Sequence, residues 1–330
     1  MKTFITGATG FVGSAVLRRL LKEGHTVVAL VRATSDKRNL EGLPVEIVTG
    51  DLTDADSFSA ALAGCDCVFH VAADYRLWVP KPPEMYESNI TGTRNLMLAA
   101  LKAGVERIVY TSSVATLGLN SDGIPADEST PVRFSDMIGH YKRSKFLAEV
   151  EVKRLVKEQN LPAVIVNPST PVGPRDIRPT PSGRVIINAA SGRIPAYVDT
   201  GLNLINVDDV AVGHLLALDR GKVGRRYILG GQNMTLREVL TQVAIIANQS
   251  PPRVRLPQSL VLPIAYFAEG WARLTDRGEP LITVDGVKLS KKRMFFSSER
   301  AMRELGFRPG PVEEALREAV NWFRENNYLR

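Results

Sequence analysis

Short apolar runs of strand length alternate with segments of helical period through the first half of the chain. The run Thr3-Phe4-Ile5 ends in Thr6-Gly7-Ala8-Thr9-Gly10-Phe11-Val12-Gly13, after which Val12, Val16, Leu17, Leu20 and Leu21 recur at helical spacing. Further strands are predicted at residues 25–31, 45–49, 67–71, 107–111 and 163–166, with helical patterns at about 57–62, 85–103 and 141–158. This alternation predicts an α/β fold with a doubly wound parallel sheet, whose ligands lie beyond the carboxyl ends of the strands. The residues that follow the strands are therefore pocket candidates: Gly50-Asp51-Leu52, Ala72-Ala73, Thr111-Ser112-Ser113 and Asn167-Pro168-Ser169-Thr170.

The first of these turns has the chemistry of a phosphate cradle. Glycine lets the backbone turn sharply and approach a pyrophosphate, while the N–H groups of the following helix N-terminus attract its charge. Gly7, Thr9, Gly10, Phe11, Val12 and Gly13 are accordingly the candidate contacts to a dinucleotide. After the second strand, where a carboxylate would receive the ribose 2′-hydroxyl of NAD, stands Arg32, with Lys37 and Arg38 close behind. Positive charge there favours the 2′-phosphate of NADP over NAD; Asp36 is the residue that would serve NAD instead.

Beyond about residue 170 the rhythm breaks into loops rich in proline and glycine, such as Pro179-Thr180-Pro181-Ser182-Gly183. The expected organisation is a Rossmann-type cofactor domain over residues 1–170, rejoined by about 203–230, with most of 171–330 forming a smaller α/β substrate-binding domain. No internal repeat or low-complexity tract is present. At 330 residues, with 44% hydrophobic and 23% charged, the chain can bury a large core. Its net charge of +7 is scattered, with no aromatic-basic cluster, which argues against nucleic acid and suits anionic small molecules. The only cysteines, Cys65 and Cys67, fit neither a disulfide framework nor a zinc site, and no His-carboxylate spacing supports any metal. A cytoplasmic protein is expected. The apolar run at 260–268, flanked by Arg253, Arg255 and Arg273, is too short to span a bilayer. It reads as a buried or pocket-lining helix start, or as an element of peripheral membrane association.

Tyr141 and Lys145 stand one helical turn apart, on one face, so the ammonium can lower the phenol pKa and reach a cofactor ribose. Such a phenol can take a proton from a hydroxyl or return it to a carbonyl, and a hydroxyl among Thr111-Ser112-Ser113 can hold the same oxygen.

These elements together resemble the extended short-chain dehydrogenase/reductases over nearly the whole chain. The resemblance makes Ser113, ahead of Gly118, the catalytic serine beside Tyr141 and Lys145. It also implies that Asp51 and Leu52 touch adenine, that Ala72 and Ala73 border the adenosine ribose, that Thr111 lies in the cofactor site, and that Pro168 and Thr170 flank the carboxamide. More narrowly, His70-Val-Ala-Ala-Asp-Tyr-Arg-Leu-Trp78, Gly139-His-Tyr-Lys-Arg-Ser-Lys145 and Asn167-Pro-Ser-Thr-Pro-Val-Gly-Pro174 are similar to the hopanoid-associated sugar epimerases, relatives of dihydroflavonol reductases. The implied activity is hydride exchange with a hydroxyl or carbonyl carbon of a sugar or hopanoid-linked substrate. The alternatives are an NADPH-dependent carbonyl reductase without epimerisation and a non-catalytic NADP sensor. Tyr75, Trp78, Met137 and His140 are the substrate-contact candidates, with Arg175, Arg178, Arg184 and Arg193 in the loops expected to cap the pocket. Relatives often dimerise, and helices over 91–103 and 141–158 are the candidates for a four-helix homodimer contact.

Overall fold

Strands that are apolar on both faces must be covered on both, and the central strands here are. The computed structural model describes residues 1–79, 81–275 and 283–329. In chain order the strands are β1 (Lys2–Thr6), β2 (Thr26–Val31), β3 (Val45–Thr49), β4 (Cys67–His70), β5 (Arg107–Thr111), β6 (Ala163–Pro168), β7 (Thr170–Val172), β8 (Ala196–Tyr197), β9 (Gly201–Asn206), β10 (Arg226–Leu229), β11 (Gln232–Thr235), β12 (Val254–Arg255) and β13 (Arg293–Met294). Seven of them form one sheet in the order β3-β2-β1-β4-β5-β6-β10, with every pairing parallel. This is a Rossmann-type α/β fold.

Successive residues of each strand point to opposite faces. Ile5, Ala29, Phe69, Val109 and Val164 join one core with Leu17 and Leu20 of α1 (Phe11–Lys22), while Phe4, Val28, Val68, Ile108 and Ile165 join the other. The second core is closed by a π-helical turn over Glu87–Thr91, which follows α2 (Pro82–Tyr86), and by α3 (Gly92–Lys102) and the long α4 (Gly139–Gln159). A π turn marks an irregularity in the helical ladder, and here it carries Asn89 into the interior. The order of strands reverses between β1 and β4, so the crevice at their carboxyl ends is the switch point where such sheets take their ligands.

The helix predicted at 57–62 is instead two short 3₁₀ turns, Ala55–Ser57 and Ser59–Leu62. The hydroxyls of Ser57 and Ser59 donate to the carbonyls of Asp54 and Ala55 at 2.6 Å each, and such local bonds compete with helix continuation.

In the second half β9 pairs with β7 and β13 in parallel and with β11 antiparallel. Three helices, α5 (Pro181–Ala190), α7 (Leu236–Ile246) and α11 (Val312–Glu325), bury Ile186, Leu240, Val243, Leu316, Val320 and Phe323 against this small sheet. Between them in sequence come α6 (Val207–Arg220), α8 (Gln258–Thr275), α9 (Val284–Leu289) and α10 (Glu299–Leu305). Of these, α6 and α10 return to the large sheet: Val210 and Ala217, then Ala301 and Leu305, lie in the same core as α1.

Candidate functional site

The three glycines of the first turn are required for different reasons. Gly7 has φ +77°, and a Cβ there would lie 2.6 Å from the backbone nitrogen of Ala72. At Gly13 a Cβ would meet the Gly7 carbonyl at 2.0 Å, so α1 can cross the turn only without a side chain. Gly10 is different: its Cβ would meet only the Gly7 carbonyl, at 3.3 Å, and otherwise opens into space. Gly10 is also the N-cap of α1 and offers no side-chain cap, so the N–H groups of Phe11, Val12 and Gly13 have no intrahelical partner. A turn with an open glycine face and uncapped N–H groups fits a dinucleotide pyrophosphate.

At the end of β2, Arg32 is exposed, and its guanidinium makes no ion pair among the described residues. Asp36 is occupied: its carboxylate receives Arg38 Nε at 3.1 Å and a second guanidinium N–H at 2.7 Å, with Arg178 at 3.9 Å. The Arg38 hydrogen bonds hold the Asp36 pKa down to about 2. The loop that supplies Arg178 is fastened to this region. Asn39, buried, donates to the carbonyls of Thr9 (3.2 Å) and Arg175 (3.3 Å), and the Tyr328 hydroxyl donates to the carbonyl of Ile177 at 2.7 Å.

The carboxyl end of β5 brings together Ser113, Tyr141 and Lys145. Ser113 caps a short turn, its Oγ accepting from the Ala115 N–H at 3.1 Å. Burial holds the half-buried Tyr141 phenol above its ordinary pKa, and the neighbouring Ser113 hydroxyl offsets part of that rise. The expected lowering of the phenol by Lys145 is not what dominates. The lysine ammonium is drawn to the strand end instead, donating to the Thr111 carbonyl at 2.8 Å and the Tyr110 hydroxyl at 3.2 Å. Burial lowers the Lys145 pKa to about 8. Thr111 turns its own hydroxyl to His214 Nε2 at 2.8 Å, so the atom it presents to the lysine is its carbonyl oxygen. His70 bonds Thr6 and Thr93 at 2.8 and 2.9 Å, tying β1 to β4 beneath the crevice; burial lowers its pKa to about 3.

Two residues that the motif reading passed over organise this cluster. Glu149, one further turn along the face of Tyr141 and Lys145, is buried and receives Ser112 Oγ at 2.6 Å, Thr116 Oγ1 at 2.8 Å and Asn167 Nδ2 at 3.0 Å. Its other oxygen meets Lys153 at 2.6 Å and Arg226 at 3.4 Å. Asn89, from the π turn, donates to Ser144 Oγ and to the Asp74 carbonyl, both at 2.9 Å, joining α4 to the loop after β4. The spacing of Glu149 from Lys145 was a usable sequence signal; Asn89 had none.

The other candidates ring the crevice. Asp51 folds its carboxylate onto Thr53 at 2.8–2.9 Å, and the Leu52 side chain covers Gly92. The Ala72 N–H donates to Thr6 Oγ1 at 3.2 Å, and Ala73 follows it, half-buried. Pro168 ends β6 and Thr170 begins β7, with the buried Ser169 Oγ between them having no hydrogen-bond partner among the described residues. His140 is paired with the Tyr86 hydroxyl at 3.2 Å, Met137 is buried, and Trp78 is half-buried. Tyr75 has an exposed ring, but burial and the neighbouring Asp176 push its hydroxyl pKa up, against Arg178 and Arg184.

Asp176 lies in the loop between β7 and α5, and its carboxylate is only partly paired. It is buried, and Oδ2 receives the Thr180 N–H at 2.9 Å and hydroxyl at 2.7 Å, yet Oδ1 has no partner. Burial raises its pKa to about 6. Between roughly pH 4 and 6 the folded protein therefore keeps a proton that the unfolded chain has lost, so this group's contribution falls as pH rises through that window. Asp176→Asn is expected to raise stability by about 2 kcal/mol at pH 7.5 and by little at pH 4, read from urea unfolding at both values.

Residues 3–230 match the model of the NAD dependent epimerase/dehydratase family. A dihydroflavonol 4-reductase-like protein of Synechocystis sp. is 45% identical over 99% of this chain and 96% of its own. Sterol demethylase protein B of Methylococcus capsulatus is 35% identical over the full length of both. Among solved structures, that of gox2253 is 56% identical with a TM-score of 0.90, covering 100% of this chain and 99% of the other. With a glycine turn suited to a nucleotide at one end of the crevice and a serine, tyrosine and lysine at the other, this chain belongs to the NAD dependent epimerase/dehydratase family of extended short-chain dehydrogenases/reductases.

Proposed function

We propose that the protein is an NADP(H)-dependent reductase of a carbonyl compound, with Ser113, Tyr141 and Lys145 as its catalytic residues. The convergence of Ser113, Tyr141 and the buried Lys145 at the carboxyl end of β5, at the switch point, is the observation that carries the reading. Residues 1–170 and about 203–230 form the cofactor-binding domain in this reading, and the remainder of 171–330 the substrate-binding domain. Arg32 and Arg38 would meet the 2′-phosphate; Gly7, Thr9, Gly10, Phe11, Val12 and Gly13 the pyrophosphate; Asp51, Leu52, Ala72 and Ala73 the adenosine; and Pro168, Ser169 and Thr170 the carboxamide.

The bound nicotinamide supplies the hydride. Ser113 Oγ donates to the substrate carbonyl oxygen and holds it against the Tyr141 hydroxyl, which releases its proton to that oxygen as the alcohol forms. The Lys145 ammonium, largely charged at neutral pH, steadies the phenolate left behind and orients the ribose. Tyr75, Trp78, Met137 and His140 are the proposed substrate wall, facing a sugar or hopanoid-linked molecule. Redox-neutral epimerisation is the second reading, favoured by the match to an epimerase/dehydratase family. A cytoplasmic homodimer through α3 and α4 completes the proposal; the exposed Val150 on α4 supports it.

Arg32 separates the two readings, because an exchanging reductase draws on NADPH whereas an epimerase retains its cofactor. Fluorescence titration should show NADPH binding at least about tenfold tighter than NADH, a difference of roughly 1.4 kcal/mol, and Arg32→Ala should erase that preference. Equal affinities in the unmodified protein, with slow release, would overturn the NADP assignment and favour the epimerase.

A further inference from the structure

Helix α8 leaves a row of large apolar side chains in water. Leu260, Ile264, Phe267 and Trp271 are 62, 55, 73 and 52% exposed, and the rings of Phe267 and Trp271 stack with centroids 6.4 Å apart. Spacings of three and four residues put them on one stripe. The opposite side already has its protein partner: Val261 and Ala265 are buried with Val284 and Val287 of α9. The exposed stripe is therefore a second apolar face, of the kind that soluble monomers rarely leave open.

The surroundings of the stripe are basic. Arg253, Lys288, Lys291 and Lys292 are exposed on the neighbouring segments. Two of the carboxylates nearby are turned to protein donors: Asp199 holds Arg255 at 2.8 Å and Arg293 at 3.4 Å, and Glu269 accepts the Val284 N–H at 2.7 Å; the third, Asp285, lies beside Gly139. An apolar stripe with aromatic rings and exposed lysines beside it matches an anionic lipid surface. A second copy fits less well, because a twofold contact through α8 would bring two basic surfaces together. Among the described residues no helix is long and apolar enough to cross a membrane.

The position of this element ties it to the candidate site. Asp285 of α9 contacts Gly139, two residues before Tyr141, and Lys142 Nζ reaches Met294 Sδ of β13 at 3.9 Å. We propose that α8, with the lysines of the α9–β13 segment, docks the protein on anionic bilayers and faces the mouth of the Tyr141 crevice toward lipid. An apolar, membrane-resident substrate would then enter sideways from the bilayer; only this last step rests on the reductase reading.

The test is flotation of the full chain with phosphatidylcholine vesicles, with and without phosphatidylglycerol, at low and high salt, run beside sedimentation velocity. Co-flotation is expected with the anionic vesicles and is expected to weaken with salt. The double variant Phe267→Glu/Trp271→Glu should reduce partitioning by about tenfold or more, and each of Lys288→Gln, Lys291→Gln and Lys292→Gln by roughly threefold to fivefold. NADPH titration of the same variants reports whether they fold, so failure here is separable from failure of the catalytic proposal. Absence of flotation in the unmodified protein, or flotation indifferent to the double variant, would overturn the docking surface. A dimer that the double variant splits, with no flotation in either form, would assign the stripe to a second copy instead.

Discussion

Tyr141→Phe is expected to lower turnover by about a thousandfold while leaving NADPH affinity within about twofold. The substitution removes one hydroxyl and keeps the ring, so the packing of α4 and the glycine turn are untouched. What disappears is the proton that must reach the substrate oxygen, from the phenol that stands beside Ser113. Because the loss is in the chemical step, single-turnover hydride transfer should fall as far as steady-state turnover, with substrate affinity much less affected. Equal transfer rates in both proteins would remove Tyr141 from the role of proton donor, whatever the substrate proves to be.

The largest stability effect is expected at Glu149, not at a member of the motif. Glu149→Ala should cost about 3–5 kcal/mol in urea unfolding and abolish activity at the same time. The deletion strands the Ser112 hydroxyl, takes one acceptor from each of Thr116 and Asn167, and leaves Arg226 and Lys153 facing a void. Burial pushes the Glu149 pKa up, but Lys153, Ser112 and Arg226 outweigh it, so the acid sits below its ordinary range in the folded state. Its contribution is accordingly full above the unfolded carboxylate pKa and is lost on acidification through the lower folded value. Glu149→Gln keeps the volume but turns an amide N–H toward donors; an intermediate loss is expected, and no loss in either variant would show that the cluster is not held by this charge.

The large sheet was legible because its signals are local. Phe4, Val28, Val68, Ile108 and Ile165 each sit in a run whose two faces are both apolar, and a strand buried on both faces reads continuously from the chain itself. The glycine turn was legible for the same reason: the demands at Gly7 and Gly13 come from within one strand-turn-helix unit and the adjacent strand. Glu149 was less so. Its partners arrive from β5, the turn after it, β6 and β10, and nothing in the spacing of one helix states which strand ends will face it. Asn89 depends on a π turn, which has no hydrophobic period of its own. At 57–62 the spacing of Phe58 and Leu62 is that of a short helix, but Ser57 and Ser59 bond back to the backbone and the segment folds as 3₁₀ turns. Asp36 was left open as a ribose ligand, and only the folded geometry shows its carboxylate committed to Arg38.

Asn39 has a consequence for how two distant segments of the chain are held. One buried amide holds a carbonyl of the glycine turn and a carbonyl of the capping loop at once. The glycine turn and the loop that carries Arg175 and Asp176 are thereby joined through one buried amide, next to the contact of Arg178 with Asp36, so the shape of the turn and the placement of that loop are set together.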